Sequence, residues 1–426
     1  MSDAHLQFPA QLEIAVRNAP VAATVRPPGS KSLTNRALVA AALGSGVSRL
    51  LDPLEAEDTE AMREGLRAMG VSIDDVDDPW LILGSGGDLT QPGAPIDVRE
   101  AGTVARFLAA VAALVPGGVT IDGRGRMRTR PMTELLTALE RMGAIVDHQQ
   151  GKLPLTVTGG SLSGGRVEVD PSRSSQFVSA LLLIAPLLEG KTEIVMTAEP
   201  VSRPYLNSTI EVMTAFGAGV EDRDDRFLVA GNGYRSAHYQ IEADASAAAY
   251  PLVAAAITAG RVVIDGIPAG STQPDLALVK ILEVMGCTIM RTDRLLELQG
   301  PSGPLRAVEV DMRDSPDAAL ALAVACLFAD GESRIGGLGS LRHKESDRLT
   351  ALEAELRRVG GSARLDGDAL VVGPGPLQAA LVRTHNDHRM AMSLALVGLR
   401  QPGIVIDAPG CVAKTWPRYF SMLSGL

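Results

Sequence analysis

Five short stretches hold the residues that could do chemistry. PPGSKSLTNR brings together Gly29, Ser30, Lys31, Ser32 and Arg36. A glycine that lets a ligand approach the backbone, an ammonium point charge and hydroxyl and N–H donors form a set that can hold a carboxylate or phosphate. It is not the phosphate-binding P-loop, because the first glycine of GxxxxGK[ST] is missing. DGRGRMRTRP places Arg124, Arg126, Arg128 and Arg130 at alternate positions, so an extended stretch would show them on one side. Arginine grips carboxylate or phosphate with a fixed two-pronged fork. SLRHKESDRL carries Arg342, His343, Lys344, Glu345, Asp347 and Arg348. On a helix Lys344 and Arg348 would share a face at i,i+4, with Glu345 and Arg348 at i,i+3. By composition this is either a surface salt-bridge lattice or a clamp for an anion beside a proton-transfer carboxylate. THNDHRMAM supplies His385, Asn386, Asp387, His388 and Arg389 against an apolar run, and AKTWPRYF supplies Lys414 and Arg418. His385, Asp387 and His388 could ligate a metal, but their spacing matches no strong metal signature.

These residues need helices to aim them, and the helices recur. An apolar helical run that ends near glycine and leads into a β-branched run appears with Gly46, Gly117, Gly190, Gly260, Gly331 and Gly403. A second series, ending at Gly70, Gly143, Gly217, Gly286 and Gly360, lies between them. Both series step by roughly 70 residues, so the chain reads as six α/β repeats, a period too long for a common solenoid unit. Glycine after a helix is the natural left-handed C-cap. The sixth member of the second series is missing, and the first and last segments together could supply it. PGSKSLTNR, EAGTVAR, SRSSQF, DASAAAY, DSPDAAL and HNDHRMAM open the first helix of successive repeats. Helix starts turn unpaired N–H groups and the positive end of the dipole outward, so several aimed at one place would favour a multiply charged anion.

Composition narrows the class. With 46% apolar and 21% charged residues the chain is a folding one, and 426 residues exceed a single core, so two or three domains are expected. The net charge of -10 and the absence of basic tails or basic–aromatic interleaving argue against nucleic acid as a partner. No apolar run is long enough to span a membrane, and the start MSDAHLQFPAQLEI does not read as a signal peptide. Cys287, Cys326 and Cys411 form neither a metal pattern nor a disulfide framework. The expectation is a cytoplasmic monomer with no membrane partner.

PGSKSLTNRAL, AGTVAR, RMRTRP, SSQFVSALL, KESDRL and NDHRMAM, supported by SRPY, SPDAA and AKTWP, occur in the order in which the sequence resembles the 5-enolpyruvylshikimate-3-phosphate synthase family. The matches run from Gly29 to Pro417. The resemblance implies an α/β fold of two similar domains, each of three βαβαββ units around a pseudo-threefold axis, with a ligand cleft between them. It also implies a discontinuous domain, 1–26 with 243–426, and a second domain, 27–242. The implied reaction moves the enolpyruvyl group of phosphoenolpyruvate to the 5-hydroxyl of shikimate 3-phosphate and releases phosphate through a tetrahedral intermediate. No metal or organic cofactor is needed.

By the same resemblance Lys31, Asp317 and Glu345 are catalytic. Lys31, Ser32, Arg36, Ser174, Ser175, Gln176, Ser202, Asp317 and Lys344 are expected on shikimate 3-phosphate, with Tyr205 shaping that pocket. Lys31, Gly102, Thr103, Arg126, Gln176, Arg348, Arg389 and Lys414 are expected on phosphoenolpyruvate. The chain departs from the family at Glu100, where asparagine is common, and at Ser340, again in place of asparagine. Glu100 brings a negative charge toward phosphoenolpyruvate, and Arg99 or Arg106 would have to neutralise it. The sister family that uses a UDP-linked amino sugar usually carries a reactive cysteine in the loop matching GRGRMRTRP. This chain has none there. A noncatalytic binding protein on the same fold is the remaining alternative, against which the presence of Lys31, Asp317 and Glu345 counts.

Overall fold

Twelve α-helices alternate with short strands in the computed structural model, which describes residues 7–160 and 162–426. The first helix of each repeat is α1 (Lys31–Leu43), α3 (Gly102–Ala112), α5 (Gln176–Ile184), α7 (Ala245–Ile257), α9 (Ala319–Cys326) and α11 (His388–Ala395). These helices are buried almost all round, and Ala37–Leu43 of α1 have no exposed surface. That explains runs such as ALVAAAL: small side chains let neighbouring helices approach closely inside one core. The second helices are α2 (Glu57–Ala68), α4 (Thr133–Arg141), α6 (Pro204–Ala215), α8 (Ala277–Val284) and α10 (Arg348–Arg358). In each, the side facing away from the core keeps charged or polar residues. In the sixth repeat that place falls to the short α12 (Tyr419–Gly425).

Among the described residues, five sheets have four strands and a sixth has three. The second repeat shows the plan. Gly117–Asp122 pairs in parallel with Ile96–Asp97 and antiparallel with Lys152–Gly159, which pairs in turn with Ile145–Gln149. Val119 opposite Val157 and Ile121 opposite Leu155 bury one face of this sheet. Chain contacts divide into two compact units, one of Gly29–Ile241 and one of Glu242–Leu426 with the residues up to Pro28. Each unit has its own apolar core. Within the discontinuous unit the early segment completes sheets made much later. Ala22–Val25 pairs in parallel with Arg261–Ile264, and Gln11–Glu13 pairs antiparallel with Val405–Asp407. The sixth repeat is thus assembled from the first and last segments together.

The second glycine series behaves as the C-cap argument requires. Gly70, Gly143, Gly217, Gly286 and Gly360 are all left-handed and directly follow the helix end. The first series is less uniform. Gly44, not Gly46, follows α1, and Gly46 lies inside the strand Ser45–Leu51. After α7 the left-handed residue is Ala259. Gly260 is needed there for another reason: a Cβ on it would sit 2.4 Å from the Val21 carbonyl oxygen, in the early segment that runs alongside. Gly331 is not left-handed, and a Cβ there would meet only Ala307, at 3.6 Å.

Candidate active site

In the contiguous unit the first helix starts are tied to one another. At α1, Gly29 admits no side chain, because its Cβ would fall 2.2 Å from the Asp52 carbonyl. Lys31 follows as the first residue of α1, and its ammonium lies 3.1 Å from Asp58 Oδ2 in the first turn of α2. One turn on, Arg36 points inward and is 2% exposed. Its Nε donates to Thr209 Oγ1 at 2.8 Å, its Nη1 to the Ser32 carbonyl at 2.9 Å and its Nη2 to the Tyr205 carbonyl at 3.3 Å. Every one of these acceptors is neutral. Burial pushes its pKa down to about 10, against the pull of Tyr205 and Tyr239, so it stays charged at neutral pH.

The starts of α3 and α5 meet through Gln176. Its side-chain amide donates to Thr103 Oγ1 at 3.1 Å, and its carbonyl accepts from Arg106. Ser174 Oγ accepts the Gln176 N–H at 3.3 Å, Ser175 is the buried N-cap of α5, and Ser202 is buried in a left-handed conformation two residues before α6. The arginine-rich stretch is not extended. Gly125–Thr129 forms a 3-10 turn, so residues three apart share a side. Met127 and Arg130 are accordingly the buried pair, while Arg124, Arg126 and Arg128 are exposed. Arg124 pairs with Asp97 and Arg128 with Asp122. Arg130 is 7% exposed, and its guanidinium lies over Gly102 at the start of α3. Its Nε and Nη1 are buried without a hydrogen-bond partner. Arg126, the arginine expected on phosphoenolpyruvate, lies on the exposed side of the same turn.

The discontinuous unit builds a denser cluster at the starts of α9, α10 and α11. Lys344 and Glu345 are not helical. They follow a 3-10 turn, Gly339–His343, and precede α10, so the shared helix face expected for Lys344 and Arg348 does not form. The contact survives by another route. Asp317 Oδ1, just ahead of α9, takes Arg348 Nη1 at 2.9 Å and lies 3.5 Å from Lys344 Nζ. Asp317 Oδ2 lies 3.3 Å from Arg389 Nη2. Arg348 also reaches Glu345 at 2.8 Å and Asp387 at 2.7 Å. Asp387 is the N-cap of α11 and accepts the Arg389 N–H. Lys414 is buried at the end of the 3-10 turn Pro409–Lys414. Burial disfavours charge on Asp317, but Arg389, Lys344 and Arg348 outweigh it and, against Glu345, hold the carboxyl well below the usual range.

The two units therefore treat positive charge differently. In the discontinuous unit Lys344, Arg348 and Arg389 face Asp317, Glu345 and Asp387. In the contiguous unit, among the described residues, Arg36 and Arg130 are buried with no carboxylate at ion-pair distance. An isolated buried cation costs several kcal/mol unless an anion joins it. Such residues are candidates for holding anionic ligands.

The family described as EPSP synthase (3-phosphoshikimate 1-carboxyvinyltransferase) matches residues 16–423. The chain belongs to the EPSP synthase family. It is 42% identical over 410 residues to the 3-phosphoshikimate 1-carboxyvinyltransferase of Citrobacter koseri, covering 94% of this chain and 95% of that one. The corresponding protein of Nostoc punctiforme is 41% identical over 418 residues, 96% of this chain and 97% of its own. A solved EPSP synthase from Acinetobacter baumannii superposes with a TM-score of 0.82 at 26% identity, covering 97% of each chain. An enolpyruvyl transferase from Streptomyces tendae shares the fold, with a TM-score of 0.79 at 19% identity.

Within this EPSP synthase family chain, the two departures can be placed. Glu100 turns its carboxylate toward the arginine-rich turn: a Cβ on Gly125 would lie 2.0 Å from Glu100 Oε1. Arg99 does not neutralise it, being held by Glu60 at 2.5 Å and Glu64 at 3.0 Å. The Ser340 hydroxyl is buried without a hydrogen bond. Sequence reasoning also passed over Asp58 and considered Asp387 only as a possible metal ligand, whereas they are the buried partners of Lys31 and Arg348. An acidic residue in the first turn of a helix was the available signal for Asp58, but it is too common to single one out. No helix is long and apolar enough to cross a membrane among the described residues.

Proposed function

We propose that the chain transfers the enolpyruvyl group of phosphoenolpyruvate to the 5-hydroxyl of shikimate 3-phosphate, releasing phosphate. The observation that carries this reading is Arg130, a buried guanidinium without a carboxylate laid over the glycine start of α3. An N-terminal glycine, a helix dipole and a desolvated guanidinium together suit a small dianion. Phosphoenolpyruvate is assigned to Lys31, Gly102, Thr103, Arg130 and Gln176 of the contiguous unit. From the discontinuous unit it takes Arg348, Arg389 and Lys414. Arg126 keeps its expected place in this assignment, and Arg130 is added to it. Shikimate 3-phosphate is assigned to Lys31, Ser32, Arg36, Ser174, Ser175, Gln176, Ser202, Asp317 and Lys344.

The reaction follows from charge. The 5-hydroxyl oxygen bonds to C2 of phosphoenolpyruvate while C3 gains a proton, giving a tetrahedral adduct. The C2–O bond to phosphate then breaks, and C3 returns a proton to the protein. Asp317 takes the hydroxyl proton, Glu345 exchanges the C3 proton and Lys31 neutralises charge on both substrates. In the free protein Asp317 is a weak base, because three cations hold it ionised. Once Arg389, Arg348 and Lys344 turn to the ligands' phosphate and carboxylate groups, that stabilisation is shared and Asp317 becomes more basic. Anion binding thus prepares the proton acceptor.

The monomeric, cytoplasmic reading belongs to the same proposal. A separate apolar core in each unit supports it, since neither needs a partner chain for its burial. The deciding experiment supplies phosphoenolpyruvate and shikimate 3-phosphate, without added metal, and follows product by mass spectrometry and phosphate release. Equal yields of enolpyruvyl-shikimate phosphate and phosphate are expected. A folded sample that makes no product from this acceptor, or prefers UDP-N-acetylglucosamine, would overturn the assignment.

A further inference from the structure

Tyr250 lies on α7, whose start is fixed independently of any ligand. Asp244 caps it by accepting the Ala247 N–H at 2.9 Å, and Gln273 accepts the Ala245 N–H at 3.0 Å. The ring is 2% exposed and packs edge-on to Tyr419, with centroids 5.5 Å apart. Tyr419 is itself pinned by its hydroxyl to the Met392 carbonyl at 2.6 Å, one turn past Arg389 on α11. The Tyr250 ring is thus held beside the first turn of α11. Burial raises its pKa to about 12, with the nearby charges of Arg389 and Arg348 opposing. Yet the hydroxyl has no well-directed hydrogen bond, although the Arg389 guanidinium lies close enough to favour its ionised form.

A buried hydroxyl without a partner destabilises a fold, and a phenylalanine would fill the same space at no such cost. We propose that Tyr250 is a positioning residue for Arg389. Its oxygen accepts a guanidinium N–H when Arg389 leaves Asp317 for the carboxylate of bound phosphoenolpyruvate. The Tyr250 proton then turns to the Asp317 oxygen that Arg389 has left. The hydroxyl lacks a well-directed partner in the free protein because Arg389 is held on Asp317 there. This inference rests on the assignment of Arg389 to phosphoenolpyruvate.

The test compares Tyr250→Phe with Tyr234→Phe in the full chain. Tyr234 is equally buried, but its hydroxyl already donates to the Leu183 carbonyl at 3.0 Å. Tyr250→Phe should melt at or above the wild-type temperature, while its KM for phosphoenolpyruvate rises about tenfold and its KM for shikimate 3-phosphate stays within twofold. Tyr234→Phe should melt lower with both KM values unchanged. An unchanged phosphoenolpyruvate KM in Tyr250→Phe overturns the proposal and points to a buried water as the partner in both states. A fall in kcat alone overturns it too, because the hydroxyl would then serve the chemistry itself. Wild-type turnover is measured first. Without it the functional assignment fails, and the role of Tyr250 fails with it.

Discussion

Gly102→Ala is the most direct probe of the anion site. The added Cβ would stand 2.7 Å from Cζ, Nη1 and Nη2 of Arg130. Comfortable carbon contacts begin near 3.5 Å, so the guanidinium must retreat by about 1 Å. It has little room to do so, being 7% exposed beneath the turn that carries it. A 1 Å misplacement of a ligand-positioning group costs up to about 100-fold in rate. We therefore expect kcat/KM for phosphoenolpyruvate to fall about 10- to 100-fold, mostly through KM, with KM for shikimate 3-phosphate little changed. Stability should hold, since alanine at a helix start recovers as much as about 1 kcal/mol in helix propensity. Steady-state kinetics with each substrate varied, beside a thermal melt, read all of this. Gly118→Ala is the control, because its Cβ would meet Thr156 and Thr158 at an ordinary 3.5 Å. If the Arg130 contact is the cause, Arg130→Ala should remove most of the further effect of Gly102→Ala, so the two losses will not add. Additive losses, or a kcat/KM within twofold of wild type, would refute the reasoning.

Other outcomes follow from the same geometry. Arg130→Ala and Arg126→Ala should each raise KM for phosphoenolpyruvate by about tenfold or more, and a KM within twofold of wild type in kinetic assays would remove that arginine from the site. Asp317 has a carboxyl held below its ordinary range, so the folded state binds fewer protons than the unfolded state just below pH 4. Its contribution is complete above that pH and is lost as pH falls, so urea midpoints of Asp317→Asn should show a flatter acid limb, and curves parallel to wild type would contradict this. Asp275 is opposite in sign. It is 4% exposed and bonded to Ser246, and burial raises its carboxyl, with Arg389 opposing and Asp317 reinforcing. Its contribution is present below the ordinary aspartate value and is lost as pH rises through the folded one, so Asp275→Asn should gain in midpoint relative to wild type as pH rises above the ordinary aspartate value.

The repeat architecture was legible because glycine leaves a visible mark wherever a helix must stop in a left-handed residue, as at Gly70, Gly143, Gly217, Gly286 and Gly360. Asp317, Glu345, Arg348 and Arg389 were legible as a set because they sit at or just before helix starts in the sequence. The arginine-rich turn was misread for a definite reason. An alternating pattern looks extended, and a 3-10 turn changes the repeat from two residues to three. Met127, the lone apolar residue between the arginines, was only half a clue: Arg124 and Arg130 both lie three from it, and Arg130 alone shares its buried side. Partnerships such as Lys31 with Asp58 join residues far apart in sequence, and no local pattern encodes them.

The pairing of Ala22–Val25 with Arg261–Ile264 has a bearing on how the chain is made. The ribosome releases the early strands first, yet their neighbours emerge more than two hundred residues later. At ordinary rates of synthesis that is a delay on the order of ten to fifty seconds. The stretch Gly29–Ile241, with its own core, has everything it needs during that interval. The nascent protein can thus bury Arg36 and Arg130 before most of the other unit has been made. Throughout the wait the strands Gln11–Glu13 and Ala22–Val25 stand unpaired, and this is when a chaperone would find most to hold.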